Sequence, residues 1–245
     1  MLLVLNVGSS SLKAAVLQAT AARSTELWRT ETQRQGALPD QLGQWLAPQL
    51  ERWWPEIKAA GHRVVHGGES FIAPTRMTVA VLEQLNAVSA LAPLHNPPAL
   101  EAIRWLQQLR PTLPQWACFD TAFHASLPPE ASTYALPSAW RQLGCRRYGF
   151  HGLNHQHVAE AAPCPRLISA HLGAGCSLAA VREGRSIDTT MGFTPLEGLV
   201  MASRSGSVDP GLLLHLLRQG IDASELYTAL NRQSGLLGLS ELSGD

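Results

Sequence analysis

The apolar positions fall into short runs broken by small polar residues, and one such break recurs in the same form. Residues 2–5 are continuously apolar, residues 6–11 read Asn-Val-Gly-Ser-Ser-Ser, and alternation resumes through Leu12, Ala14, Val16 and Leu17. A run that short, then turn residues, then a two-residue period predicts strand, turn and strand. The second occurrence is a strand over 167–170, a glycine turn at 173–175, and further strands over 178–181 and 186–189. It hints at two similarly built halves, with no exact repeat. Between the two, Leu42, Trp45, Leu46 and Leu50 recur at helical spacing and predict a helix over 39–54. Helices over 79–91 and 98–109 and short buried strands at Val64-Val65 and 116–119 follow. Residues 128–147, rich in proline and aromatics, predict an irregular crossover between an N-terminal domain, 1–148, and a C-terminal domain, 149–245. Helices over 156–162, 210–218 and 223–232 precede a glycine-punctuated end. Such mixing of strands and helices is an α/β pattern.

Composition narrows the partners. A chain of 245 residues with 45% hydrophobic residues can bury a real core. Its 19 basic residues balance 19 acidic ones, so net charge offers nothing to a nucleic acid or a membrane surface, and small ligands are expected instead. Cys118, Cys145, Cys164 and Cys176 are widely spaced, without a CxxC pair or the density of a disulfide scaffold. Free thiols in a reducing cytoplasm are the simplest expectation. The apolar start breaks at Asn6, too early for a signal-peptide core, and no stretch approaches the roughly 20 apolar residues of a membrane span.

The candidate chemistry lies in the polar breaks. The turn from Asn6 to Lys13 offers amides, hydroxyls and an ammonium to phosphate oxygens, or is an ordinary hairpin loop; it is not the P-loop pattern. Arg63 heads a buried strand followed by two glycines, where its planar fork can grip a carboxylate or phosphate, or pair with a nearby acid. Val65 would face the same ligand. Asp120 ends a strand, the edge where open α/β sheets hold ligands, though turn-closing aspartates also sit there. His151, His155 and His157 raise the possibility of zinc, and hence a metallohydrolase, but the flanking glycines interrupt the continuous helix that ligands at i and i+4 want. A phosphate-facing histidine fits better. The turn His171-Leu172-Gly173-Ala174-Gly175 permits close backbone approach to a ligand. Residues 191–210, polar, irregular and carrying Arg204, are longer than a merely structural loop usually is.

Together these segments resemble the acetate kinase family, within the sugar kinase, heat-shock and actin superfamily. The resemblance is carried by NVGSSSLK, GHRVVHGGE, APLHNPPAL, FDTAFH, YGFHG and MGFTPLEGLVMASRSGSVDP, and runs from residue 2 to 245 with a shorter stretch than usual over 18–62. It implies an actin-like two-domain α/β fold and reversible phosphoryl transfer between ATP and acetate, giving acetyl phosphate and ADP. It also implies Mg²⁺ near Asn6 and contacts of Lys13, Asp245 and the turn from His171 through Leu172, Gly173 and Ala174 to Gly175 with nucleotide. Arg63 and Arg204 would hold the carboxylate and the moving phosphoryl group, His151 would face its equatorial oxygens, and Asp120 would be the active-site acid. Val65, Leu94, Phe150 and Pro195 would line the methyl pocket. Propionate or butyrate is the alternative substrate, since one methylene changes binding by only ~1 to 3 kcal/mol. The family usually has HLGNG where Ala174 stands, HGTSH where Leu153 stands, and Gly-Thr where Ala202-Ser203 precede the arginine. It also carries further segments after the position matching Asp245, among them a GIGEN loop and a magnesium-binding glutamate. The second domain is accordingly expected to be incomplete, and the chain alone weakly active or a non-catalytic remnant binding acetate or phosphate. A cytoplasmic homodimer is the expected state.

Overall fold

A computed structural model describes residues 1–8, 11–20 and 23–245, so Ser9 and Ser10 of the first polar turn lie outside the described residues. The chain divides into two compact units, Met1–Ala122 and Phe123–Asp245. Residues 128–147, expected as a crossover, fall in the second unit.

In the first unit the paired runs of the N-terminus become β1 (Leu2–Val7) and β2 (Ser11–Ala19), followed by β3 (Ser24–Gln33), β4 (Ala59–Val64), β5 (Thr75–Arg76) and β6 (Gln115–Phe119). Their order in the sheet is β3-β2-β1-β4-β6-β5. β1, β4 and β6 run parallel, and the remaining pairs are antiparallel. Strand alternation drives Leu3, Leu5 and Val7 of β1, with Leu12, Ala14 and Val16 of β2, into one core. Facing them are Leu38, Leu42, Leu46 and Leu50, four residues apart on α1 (Leu38–Gln41), a π-helical turn (Leu42–Leu46) and α2 (Ala47–Leu50). Pro48 cannot donate its nitrogen to the helical ladder, and the wide turn ahead of it relieves the clash of its ring.

A second core gathers Val64, Phe71, Leu82, Leu85, Leu100, Ile103 and Phe119 beneath α3 (Val79–Val88) and α4 (Asn96–Leu109). The α4 helix serves both cores, turning Ala102, Trp105 and Leu106 to the first and Ala99, Leu100 and Ile103 to the second. Thr78 caps α3 by accepting from the Val81 amide at 3.2 Å. Strand β3 was not expected: its apolar positions are few, and its side chains lie mostly in solvent.

The second unit contains α5 (Pro129–Ser132), α6 (Ser138–Gln142), α7 (Gly152–Ala161), the antiparallel meander β7 (Arg166–Leu172), β8 (Cys176–Arg182) and β9 (Arg185–Thr189), then α8 (Pro210–Arg218), α9 (Ala223–Thr228) and α10 (Gly235–Ser240). One face of this sheet is covered: Ala159 of α7 packs with Ala179 and Val181 of β8, together with Phe123 and Leu167. Ile168 and Leu172 point the other way and are 68% and 76% exposed. Among the described residues no helix is long and apolar enough to cross a membrane.

Candidate active-site residues

In the first unit the parallel strands bring three polar side chains to one sheet edge. Asn6 lies opposite Arg63 in the β1–β4 register, and Asp120 follows the end of β6, its amide bonded to Val64 O at 3.1 Å. Arg63 Nε donates to both Asp120 oxygens at 3.0 Å, Nη2 donates to Oδ2, and Nη1 donates to Asn6 Oδ1 at 3.1 Å. The Asp120 side chain is 2% exposed and that of Arg63 29%. Burial alone would lower the guanidinium pKa, but the charge and hydrogen bonds of Asp120 outweigh it and raise the value above the ordinary range. Asn6 Oδ1 and the Asp120 carboxylate are hard oxygen donors, the kind Mg²⁺ takes. Both already accept from Arg63, so they suit an ion that keeps its waters and borrows phosphate oxygens better than a closed protein cage.

The turn behind Arg63 is tightly built. Asn96 accepts from the His66 amide at 3.0 Å and returns a bond to His66 O at 2.9 Å, and Thr121 Oγ1 accepts from the Gly67 amide at 3.0 Å. A Cβ on Gly67 would stand 2.3 Å from Phe71 O, so only glycine fits there. Val65 is buried beside this turn, while Leu94 is 36% exposed. Lys13 is half-exposed on β2, and its ammonium pairs with Glu31 of β3 at 3.0 Å.

The second unit assembles a different cluster around the start of α7. His151 takes a left-handed backbone, φ 58°, an uncommon and mildly costly conformation for a non-glycine residue, and turns the chain into the helix. Its Nδ1 meets Ser177 Oγ at 2.9 Å, and its ring stacks on His171 with centroids 4.0 Å apart. His171 Nδ1 lies 3.1 Å from Asn154 Oδ1. Phe150 is buried, and its carbonyl accepts from His124 Nε2 at 3.1 Å. A carbonyl can only accept, so His124 carries its proton on Nε2, and Nδ1 accepts from Ser186 Oγ at 2.8 Å.

Arg204 reaches the same place from the long loop. Its Nη1 donates to Pro195 O at 3.2 Å and approaches Met201 Sδ at 3.9 Å. Among the described residues Arg204 joins none of the ion pairs. Desolvation lowers its pKa from the usual guanidinium value, with Tyr227 opposing. Gly175 is the meeting point: a Cβ built on it would lie 3.3 Å from His151 Nε2 and 3.6 Å from Arg204 Nη1. The glycine turn thus leaves open a spot that an imidazole and a guanidinium both face. Of the rest of that turn, Ala174 O accepts from the Ala202 amide at 3.2 Å, Gly173 N donates to Gly175 O at 3.1 Å, and Leu172 is exposed. Asp245 N bonds Ser243 Oγ at 3.1 Å.

Sequence reasoning did not foresee the hub that shapes this loop. Glu197 accepts from the Tyr134 hydroxyl and from Arg147 Nη2 at 2.9 Å, Arg147 Nη1 also donates to the carbonyls of Thr189, Thr190 and Met191, and Tyr134 Oη accepts from the Phe193 amide at 2.9 Å. Desolvation and the adjacent Glu197 push the Tyr134 pKa upward, so the phenol stays a donor. Both ring nitrogens of His155 are taken by serine hydroxyls at 2.8 Å, and among the described residues no three His, Cys, Asp or Glu side chains are grouped to hold a metal ion.

The profile of the acetokinase family matches residues 30–245. An acetate kinase from a Synechococcus strain is 48% identical over 286 aligned positions, covering 100% of this chain and 71% of that one. Among solved structures, a propionate kinase from Francisella tularensis superposes with a TM-score of 0.90 at 39% identity, covering 100% of this chain and 71% of its own. An acetate kinase from Porphyromonas gingivalis does so with a TM-score of 0.85 at 33% identity, covering 100% and 70%. With a family profile over most of its length and relatives this similar, the chain belongs to the acetokinase family of phosphotransferases and has their actin-like α/β fold.

Proposed function

We propose that this chain transfers the γ-phosphoryl group of ATP to a short carboxylate, acetate first, and runs the reverse reaction. A carboxylate oxygen attacks the γ-phosphorus, the bond from that phosphorus to the bridging oxygen breaks, and ADP leaves with the electron pair as acetyl phosphate forms. Such a transition state spreads negative charge over the phosphoryl oxygens and asks the protein for position and neutralisation more than covalent help. The observation that carries the reading is the convergence of His151 Nε2 and Arg204 Nη1 over Gly175. There Arg204, uncompensated by a carboxylate, takes the charge of the moving group, and His151 meets its equatorial oxygens.

Arg63 serves the incoming carboxylate. Of the five N–H donors of a guanidinium, Asp120 and Asn6 take one each on Nε, Nη1 and Nη2, leaving one on each terminal nitrogen for a two-point grip. Asp120 holds that fork in place. A carboxylate nucleophile, with a pKa near the ~4.3 of a glutamate side chain, is already ionised at pH 7 and needs no base. Val65, Leu94, Phe150 and Pro195 offer apolar contact to the substrate methyl group. Lys13, Asp245 and the turn from His171 to Gly175 serve the nucleotide, and Asn6, with Asp120, serves its hydrated Mg²⁺. Bound with ATP, Mg²⁺ supplies screening of the β- and γ-phosphate charge. The cytoplasm and a homodimer belong to the same proposal, supported by four unpaired thiols and by the exposed Ile168, Leu172, Leu214 and Leu239.

The likeness to a propionate kinase favours a second substrate of the same class. Hydroxylamine trapping of acyl phosphate from ATP with acetate, and separately with propionate, tests both. ATP-dependent hydroxamate that vanishes with Arg204→Ala is expected; none above the enzyme-free rate with either acid contradicts the proposal. Calorimetric binding of acetate without turnover would point to a non-catalytic remnant instead.

A further inference from the structure

The face of α7 that packs on the sheet changes character along its length. Residues four apart, His151, His155 and Ala159, form one stripe beginning at the helix N-cap. Ala159 meets apolar Ala179 and Val181, but His155, fully buried, meets Ser169 of β7 and Ser177 of β8. A buried imidazole is costly unless its nitrogens are bonded, and here each faces a hydroxyl: Nδ1 to Ser169 Oγ and Nε2 to Ser177 Oγ, both at 2.8 Å. Burial, with His171 adding to it, lowers the His155 pKa to about 4, so near neutrality the ring is uncharged, with one donor and one acceptor. The imidazoles of His171 and His124 are its titratable neighbours, with centroids 6.5 and 5.7 Å away.

Ser177 Oγ is shared. It also lies 2.9 Å from His151 Nδ1, so Ser169, His155, Ser177 and His151 form one unbroken chain of hydrogen bonds. A serine has a single proton to give, and that proton couples the two rings. If His155 Nε2 carries its proton, it donates to Ser177, Ser169 donates to His155 Nδ1, and the Ser177 proton is available to His151 Nδ1. The neutral His151 then holds its own proton on Nε2. If His155 is protonated on Nδ1 instead, Ser177 must donate inward and accept from His151 Nδ1–H, and a neutral His151 presents a bare lone pair at Nε2.

We propose that Ser177, His155 and Ser169 are positioning residues whose hydrogen bonds run outward, Ser169 to His155 to Ser177 to His151, and fix His151 as the Nε2–H tautomer beside Gly175 and Arg204. The outward direction rests on the proposed phosphotransfer, because a donor, not a lone pair, suits anionic phosphoryl oxygens. The chain of contacts stands without it. Bonds aligned head to tail strengthen one another, so the tautomer is held by the whole chain rather than by one hydroxyl.

Two-bond ¹H–¹⁵N NMR of the histidine rings in the full chain distinguishes the tautomers, with through-bond correlation of each ring to its own backbone assigning the signals. The wild type should show His155 and His151 as Nε2–H forms near pH 7.5. Ser177→Ala should shift His151 toward a tautomer mixture and lower kcat about tenfold, with KM for ATP and for the carboxylate moving less than about twofold. Ser169→Ala should act in the same direction and more weakly. An Nδ1–H form of His155 in the wild type, or a Ser177→Ala protein with unchanged His151 tautomer and unchanged kcat, overturns the proposal. The wild-type spectrum decides even where a variant fails to fold. It also reads the relay in a protein without turnover, so failure of the phosphotransfer reading stays distinguishable.

Discussion

Arg63 and Arg204 are both partly buried guanidinium groups, and the two units treat their charge in opposite ways. Arg63 meets a carboxylate with 2% of its side chain exposed, together with an amide oxygen. Arg204 meets a carbonyl oxygen and a thioether. Desolvation pushes both pKa values down, and only Asp120 reverses the direction at Arg63. An arginine so paired is a fixed fork with little net charge to offer, whereas an arginine held by neutral groups keeps its full charge for an incoming anion. Under the proposed function the same residue type serves two tasks, orientation in one unit and neutralisation in the other.

Removing the uncompensated charge should have the largest effect. Arg204→Ala is expected to lower kcat about a thousandfold, on the order of 4 kcal/mol of transition-state stabilisation, with an unchanged unfolding midpoint. Arg204→Lys should recover only part of this, because a point charge cannot reproduce the fork. Steady-state kinetics of both variants measure the gap.

Asp120→Asn breaks the comparison from the other side by making Arg63 resemble Arg204. Stripped of its counter-charge, Arg63 should destabilise the fold by about 3 kcal/mol, read from denaturant unfolding. The remaining rate should show no loss of a basic pKa, since the role proposed for Asp120 is to orient a guanidinium. A rate that collapses through such a loss alone would contradict this role.

Acid should act on both units in the same direction, and more on the first. Burial lowers His62 and His66 in the first unit and His155 in the second to about 4, well below the unfolded value of 6.5. Between these values the unfolded chain binds more protons than the folded one, so stability is full above pH 6.5 and falls as pH drops toward 4. A loss on the order of 2 kcal/mol per histidine between pH 7 and pH 5, about 5 kcal/mol for the three together, is expected in urea unfolding. The exposed Lys13–Glu31 pair marks the small end: Glu31→Gln should change stability by less than about 0.5 kcal/mol, with salt abolishing the difference.

What the sequence disclosed follows from how local the physics is. The β1–β2 and β7–β8 hairpins were readable because a short apolar run, a glycine turn and renewed alternation lie within twenty residues or fewer of one another. Helices α3, α4 and α8 announced themselves by spacing, and α8 also by the Asp209-Pro210 start, where Asp209 accepts from the Gly211 amide at 2.7 Å. Strand β3 was hidden because an exposed edge strand needs few apolar residues. The two-residue β5 carries no period, and Gly235 and Gly238 disguised α10 as a loop. The start of α7 at Gly152, four residues before the expected 156, follows from the left-handed turn at His151.

The motif residues Arg63, Asp120, His151 and Arg204 could be singled out by residue type, but their partners could not. Asp120 binds Arg63 across 57 positions, Tyr134 binds Glu197 across 63, and Ser177 joins His151 to His155 through a strand-to-helix contact that leaves no local pattern. Lys13 shows the converse. Its motif suggested a phosphate contact but gave no sign of Glu31, which the β2–β3 register sets beside it.

The convergence over Gly175 is tested most directly by Gly175→Ala. The new methyl group would sit 3.2 Å from His151 Cε1 and 3.6 Å from Arg204 Nη1, close enough for small shifts to accommodate it, yet filling the spot where a phosphoryl oxygen would lie. Measured beside the wild type by ATP-dependent hydroxamate formation, Gly175→Ala should lose at least about a hundredfold in kcat with its unfolding midpoint preserved. A folded Gly175→Ala protein that turns over at the wild-type rate would contradict the assignment of His151 and Arg204 to the moving phosphoryl group.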